Sequence, residues 1–90
     1  MKRVHIFISG IVQGVFFRSN IKEKANKLNL KGFVKNLPNG KVEAIFEGKE
    51  ENINEILKFC KKGPSGANIK DVEIKEGKVN NEFNSFEVRY

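Results

Sequence analysis

The segment at positions 10–18, GIVQGVFFR, contains residues of the types that bind phosphate. Its glycines allow a tight turn with positive φ, and successive backbone N–H groups in such a turn can point inward and bind an anion. Arg18 closes the segment and is one of only three arginines among 17 basic residues. Its planar guanidinium can donate hydrogen bonds to two phosphate oxygens at once, which lysine cannot do. The segment therefore indicates a phosphate-binding loop, although a purely structural turn followed by an exposed arginine explains the same residues.

Asn36 is a second polar residue that could act together with Arg18. Its side-chain amide can donate one hydrogen bond and accept another, which is what the orientation of a water molecule requires. The alternative is structural, because the sequence PNG at positions 38–40 is a strong turn signal and Asn36 could simply begin that turn. The choice between the two depends on whether the fold brings Asn36 to the loop.

Hydrophobic periodicity divides the chain into five strands and two helices. In the first strand, apolar residues alternate from Val4 to Ile8, and in the second helix they recur at intervals of three and four up to Cys60. Gly32 is predicted to end the first helix. The predicted strands lie at 4–9, 32–37, 42–48, 69–78 and 86–90, and the predicted helices lie at 18–30 and within 49–63.

The order of these elements predicts an α+β fold of the ferredoxin-like type, which is a two-layer sandwich with the pattern βαββαβ and, here, a final short strand. Two helices would cover one face of an antiparallel sheet, and residues 1–90 would form a single domain. If successive elements alternate in direction, the loop before Arg18, the strand end at Asn36 and the chain end at Tyr90 share one edge of the sheet. We also expect Tyr90 to pack into the core and its carboxylate to pair with Arg18 or a neighbouring cation.

The composition of the chain restricts the other kinds of site that it can contain. The net charge of +6 suits an anionic partner, from a small phosphate compound to a nucleic acid. No apolar segment approaches the length of a membrane span, and a single cysteine fits a cytoplasmic protein. With one histidine, one cysteine and one aspartate, the sequence predicts neither a metal site nor a cofactor. Cys60 lies on the apolar stripe of its helix and is predicted to pack rather than to act as a nucleophile.

Four stretches of the chain resemble the acylphosphatase family. GIVQGVFFR at 10–18 and GFVKNLPNGKVEAIFEG at 32–48 resemble its two signature stretches, which are long and gapped. GPSGANI at 63–69 and the closing FEVRY are also similar, so the resemblance covers nearly the whole chain. Two departures are visible: Phe16 stands where some members have cysteine, and GPSGANI replaces the commoner GPPGA form.

The resemblance implies a hydrolase that cleaves the carboxyl–phosphate bond of an acyl phosphate and releases a carboxylate and inorganic phosphate. It implies that Arg18 binds the phosphoryl group and that Asn36 orients the attacking water. The loop amides that would hold the phosphate belong to Gln13, Gly14, Val15, Phe16, Phe17 and Arg18. Because the leaving group is already good, positioning and charge stabilisation suffice, and the substrate phosphate itself could accept the proton of the water. We therefore expect a metal-independent, monomeric, cytoplasmic enzyme that inorganic phosphate inhibits.

Two other functions fit parts of the sequence. The RNA-recognition motif has the same fold, and IFISGI at 6–11 and KGFVKN at 31–36 resemble its paired signatures. That module stacks bases on aromatic residues of its first and third strands. Phe7 would lie on the open sheet face, but the third strand offers Ile45 there, so we expect an incomplete platform and no nucleic-acid partner. The other possibility is a module of a larger enzyme that senses phosphate or carbamoyl phosphate, although the end of the chain at Tyr90 favours a separate enzyme.

Overall fold

The chain folds into five strands and two helices in a computed structural model, which describes residues 1–14 and 16–90. In chain order, the elements are β1 (Lys2–Ile11), α1 (Phe17–Lys27), β2 (Lys31–Asn36), β3 (Val42–Gly48), α2 (Glu50–Lys62), β4 (Asn68–Gly77) and β5 (Phe86–Arg89). All seven predicted elements are present. The largest difference is at the end of α1, which stops at Lys27 because Asn29 adopts a left-handed φ of 55°. Gly32, which was predicted to end this helix, lies inside β2 instead.

The strands of the described residues form one sheet in the order β4–β1–β3–β2–β5. β1 pairs antiparallel with β3 and β4, and β3 pairs antiparallel with β2. β5 instead pairs parallel with β2. The sheet is therefore mixed at this edge, whereas the sequence predicted an antiparallel sheet. The reason is the path of residues 78–85, which connect β4 at one edge of the sheet to β5 at the other. As a result, β1, β2 and β5 all run in the same direction.

The hydrophobic core lies between one face of the sheet and the two helices. Alternate residues of β1 and β3 point into it, because successive side chains of a strand face opposite sides. The helices contribute apolar residues spaced three or four positions apart, as the sequence predicts. The buried residues of these four elements include Val4, Ile6, Ile8, Phe17, Ile21, Ala25, Val42, Ala44, Phe46, Ile53, Ile56 and Cys60, each at most 1% exposed. This single core between two layers confirms the predicted ferredoxin-like α+β sandwich.

On the opposite face of the sheet, a buried ion pair holds residues 78–85 in place. Arg3 donates a 2.7 Å hydrogen bond to the carboxylate of Glu47, which is only 2% exposed. Glu47 also accepts a 3.2 Å bond from the backbone N–H of Asn80, and Arg3 donates a 2.7 Å bond to Glu82. The bond to Glu47 raises the pKa of Arg3, and the bond from Arg3 lowers the pKa of Glu82. The stability that this bond to Glu82 contributes is therefore fully present above the pKa that the carboxyl has in the unfolded chain. It is lost as the pH falls through the lowered pKa of the folded state.

Gly32 provides a test of how closely β2 and β3 pair. It has a φ of 140°, and a Cβ atom at this position would overlap the carbonyl oxygen of Ile45. We expect Gly32→Ala to lower the free energy of unfolding by more than about 3 kcal/mol, because the paired backbones would have to separate. Gly77→Ala is the matched control, since a Cβ atom there would meet the Arg3 side chain at an ordinary 3.6 Å. Urea unfolding followed by circular dichroism measures both variants, and equal stabilities would contradict the prediction.

Candidate functional site

The loop between β1 and α1 contains two left-handed backbone conformations. Gly14 has a φ of 76°, and a Cβ atom there would meet no described residue beyond its chain neighbours within 4 Å, so glycine is needed there for its backbone conformation and not for its size. Phe16 has φ 58° and ψ 24°, a conformation that costs a non-glycine residue about 1–2 kcal/mol. Val15, which belongs to the predicted phosphate-binding set, lies outside the described residues. Gly10 was expected to curl this loop, but it belongs to β1, where a Cβ atom would overlap the carbonyl oxygen of Asn68 on β4.

Three hydrogen bonds hold the carbonyl group of Phe16 at the start of α1. Its oxygen accepts bonds from the backbone N–H of Asn20 at 3.0 Å, from the side-chain amide of Asn20 at 2.8 Å and from the hydroxyl of Ser19 at 3.0 Å. These bonds offset the cost of the left-handed conformation and fix the last peptide of the loop. Ser19 and Asn20 were not among the predicted site residues. The available signal was the occurrence of two polar, cap-forming residues in the first turn of a helix.

A cavity of about 330 Å³ opens beside this loop. The loop, the end of β2 and the end of β5 all contribute to it, because β1, β2 and β5 run in the same direction. The described residues that line it are Val12, Gly14, Phe16, Phe17, Arg18, Ser19, Asn36, Val88 and Tyr90. The strand directions predicted from the sequence therefore bring the loop, Asn36 and the end of the chain together. The volume is near the lower limit for small-molecule sites, which suits a group of a few heavy atoms such as a phosphoryl group.

Arg18 is half-buried and presents its guanidinium group at this cavity. Its Nη1 lies 3.4 Å from the carbonyl oxygen of Arg89, which is a long hydrogen bond, and its Cζ lies 4.7 Å from the centre of the Tyr90 ring. Among the described residues, Arg18 takes part in none of the ion pairs. None of these ion pairs involves the terminal carboxylate, so its expected pairing with Arg18 or a neighbouring cation is wrong. Tyr90 is 99% exposed, so the expectation that it packs into the core is also wrong.

Asn36 is the last residue of β2 and lines the same cavity as the loop. Its Oδ1 atom is buried and accepts no hydrogen bond from the described residues, which costs about 1–3 kcal/mol. The turn that follows is closed by other groups: Leu37 and Lys41 pair through their backbones at 2.8 Å, and the Asn39 side chain accepts a bond from the Lys41 N–H at 3.0 Å. The turn therefore does not explain the unpaired oxygen of Asn36.

Gln13 is not among the described residues that line the cavity. Its side-chain Nε2 donates hydrogen bonds to the carbonyl oxygens of Leu37 at 2.8 Å and Lys41 at 2.9 Å. The side chain is therefore directed at the turn between β2 and β3, and only the backbone of Gln13 remains as a possible phosphate ligand. Phe17 is buried in the core beneath the cavity, where it fixes the first turn of α1.

Comparison with known proteins identifies the family. The sequence model of the acylphosphatase family matches residues 4–88. The chain belongs to the acylphosphatase family. It is 42% identical over 90 residues to an acylphosphatase of Syntrophus aciditrophicus, with 100% of this chain and 94% of the relative covered. It is 44% identical over 88 residues to an acylphosphatase of Rubrobacter xylanophilus, with 98% and 80% covered.

Solved acylphosphatase structures have the same fold. The crystal structure of the Bacillus subtilis acylphosphatase superimposes with a TM-score of 0.95 at 31% identity, and the alignment covers 100% of both chains. The crystal structure of full-length HypF in its phosphate- and nucleotide-bound form superimposes with a TM-score of 0.87 at 32% identity, over 99% of this chain and 12% of HypF. The activity of the chain is thus that of an acylphosphatase, the hydrolysis of acyl phosphates.

Neither a reactive thiol nor a metal-binding cluster is found at the cavity among the described residues. Cys60 packs in the core, as predicted, and burial raises the pKa of its thiol to about 12, so the reactive thiolate does not form near neutral pH. Residues 1–14 and 16–90 contain no cluster of three or more His, Cys, Asp or Glu side chains that could hold a metal ion. Over the same residues, no helix is long and apolar enough to cross a membrane.

The open face of the sheet does not form the stacking platform of an RNA-binding module. The centre of the Phe7 ring lies 4.7 Å from the centre of the His5 ring and 5.8 Å from the Nζ atom of Lys75, so part of the Phe7 surface is already covered. On β3, Ile45 is only 7% exposed and presents no ring. Because base stacking needs exposed aromatic faces on both strands, the platform is incomplete, and the absence of a nucleic-acid partner stays a prediction.

Proposed function

We propose that this cavity is where the acyl phosphate is hydrolysed, with Arg18 and the loop amides binding the phosphoryl group and Asn36 orienting the water. The observation that supports the proposal most is that Arg18, Gly14 and Asn36 line one small cavity. Backbone N–H groups of residues 13–18 are the proposed ligands of the phosphoryl oxygens. We further propose that residues 1–90 act as a single-domain monomer in the cytoplasm.

The electrostatics of the loop favour an anion. The N-terminus of α1 has the positive end of the helix dipole, and the first turn of this helix contains no acidic residue that would compensate it. Arg18 adds a full positive charge at the same place, where a cation is locally unfavourable. A bound phosphoryl group relieves both effects, since its oxygens accept hydrogen bonds from the amides and from the guanidinium.

The proposed reaction is the transfer of the phosphoryl group to water. The water oxygen forms a bond to phosphorus while the bond from phosphorus to the carboxyl oxygen breaks, and the carboxylate leaves with the electron pair of that bond. A phosphoryl oxygen of the substrate takes the proton of the water, so no side chain has to act as a base. Arg18 stabilises the charge on the phosphoryl oxygens in the transition state. The unpaired Oδ1 of Asn36 supplies an acceptor for one hydrogen of the water, which fixes the direction of attack.

The activity and its independence of metal are tested by following the hydrolysis of benzoyl phosphate with and without EDTA. We expect equal rates, because the proposed charge stabilisation comes from Arg18 and the loop amides. A phosphate monoester should react far more slowly, since its leaving group is much poorer, and inorganic phosphate should inhibit competitively. Loss of activity in EDTA and its recovery on addition of magnesium would show that the proposed mechanism is wrong.

Arg18→Lys should be nearly as damaging as Arg18→Ala, because an ammonium group cannot donate two parallel hydrogen bonds. We expect both variants to lose about 10²–10⁴-fold in kcat/KM, which is the usual effect of removing a charge-stabilising donor. Lys22→Ala is the control, since it removes a charge from the exposed surface of the same helix. A lysine variant with most of the wild-type activity would show that charge alone is sufficient.

Asn36→Ala should lower kcat by about 10²-fold, the scale expected when a reacting group loses its orientation. The inhibition constant of inorganic phosphate should remain nearly unchanged, because the loop and Arg18 still bind the anion. Steady-state kinetics with phosphate as inhibitor measures both quantities. If phosphate binding weakens as much as the rate falls, Asn36 binds the anion and the proposed division of roles is incorrect.

A further inference from the structure

The two groups proposed to act together, the loop with Arg18 and Asn36, are not joined by strand pairing. The loop follows β1 and Asn36 ends β2, but β3 lies between these two strands in the sheet. Adjacent strands are about 4.8 Å apart, so β1 and β2 are separated by roughly twice that distance. No backbone ladder can therefore fix the loop directly against the end of β2. A contact between the loop and the end of β2 would fix the distance between the phosphoryl group and the water more directly than pairing through β3.

The side chain of Gln13 spans this gap. Its Nε2 group has two hydrogens, and it donates to the carbonyl oxygens of Leu37 at 2.8 Å and Lys41 at 2.9 Å. Leu37 directly follows Asn36, and Lys41 directly precedes Val42, which is the partner of Asn36 in the β2–β3 register. Gln13 therefore binds both sides of the hairpin next to Asn36. The tip of this hairpin, at positions 38–40, is exposed.

We propose that Gln13 is a positioning residue, which holds Asn36 at the correct distance from Arg18 and the loop. This inference depends on the proposed roles of Asn36 and Arg18 in the same cavity. It assigns to the Gln13 side chain a role other than the phosphate binding expected of the loop backbone. An amide suits this position because its nitrogen has two donors and no charge, so it can bind two carbonyl oxygens at once, and glutamine has the length to reach them.

The test uses Gln13→Met, which keeps the length of the side chain and removes both donors. We expect kcat to fall about 10–100-fold, since small displacements of reacting groups have effects of this size. The inhibition constant of inorganic phosphate should change by less than about threefold, because Arg18 and the amides that bind the anion are retained. Asn39→Ala is the matched control: it removes a different side-chain bond within the same turn, and it should leave kcat unchanged.

A purely structural role for Gln13 would lower stability without lowering the rate of the folded enzyme, so kinetics are measured well below the unfolding midpoint of each variant. If Gln13→Met does not fold, Gln13→Asn replaces it, because it retains the donors on a side chain that is one methylene shorter. That variant should show a smaller loss of kcat with phosphate inhibition again preserved. Wild-type kcat in a folded Gln13→Met or Gln13→Asn variant would overturn the proposal.

A double-mutant cycle shows whether Gln13 acts through Asn36. In the Asn36→Ala background there is no water-orienting amide left to position, so adding Gln13→Met should lower kcat by less than about twofold further. If the two effects multiply instead, Gln13 does not act through Asn36 and the inference fails while the proposed function stands. If Asn36→Ala alone has the wild-type rate, the proposed role of Asn36 is wrong, and the inference is overturned with it.

Discussion

The common direction of β1, β2 and β5 is the constraint on which the rest of the structure depends. β3 pairs antiparallel with both β1 and β2, and β5 pairs parallel with β2, so all three strands end at the same edge of the sheet. That edge is where the loop after β1, Asn36 at the end of β2 and Val88 of β5 contribute to one cavity. The helices pack on one face and leave this edge open, which gives a small molecule access to the loop.

The parallel pairing of β5 depends in turn on residues 78–85, and these residues are held by a buried charge. Glu47 is 2% exposed and is paired with Arg3 and with the backbone of Asn80. Removing one member of such a buried pair leaves an uncompensated charge, which typically costs about 3–5 kcal/mol. The pair lies on the face of the sheet opposite the core. Through its bonds to Glu47, it links the start of β1 to the segment that leads into β5. The end of β5 in turn contacts Arg18 through the carbonyl group of Arg89.

Most of the chain follows local preferences, and three of the exceptions occur together at the cavity. Phe16 is left-handed without being glycine, Arg18 is a cation at the positive end of a helix, and the Oδ1 of Asn36 is buried without a donor. Each feature is unfavourable on its own. In the proposed complex, a phosphoryl group would neutralise the charge of Arg18 and a water would donate to Asn36, while the bonds to the Phe16 carbonyl group offset its conformation. Local rules that fail together at one place are typical of functional sites.

The sequence by itself determined the order of the elements, the apolar stripes of the helices and the two side chains, Arg18 and Asn36, on which the candidate site is centred. Periodicity reports which side of its own element a residue faces, so Ile53 and Cys60 were assigned to the core from spacing alone. Arg18 and Asn36 were identified because residue type and family resemblance pointed to the same chemistry.

Only the tertiary structure decided the contacts between distant segments. The bond from Arg3 to Glu47 joins residues 44 positions apart, and the bond from Gln13 to Leu37 joins residues 24 positions apart. The parallel partner of β5 and the exposure of Tyr90 likewise depend on where residues 78–85 cross the sheet. No local pattern contains this information, because a hydrogen bond between distant segments depends on the positions of two elements and leaves no period in either sequence. The glutamine at position 13 is visible in the sequence, but its two acceptors are adjacent to it only after the sheet has formed.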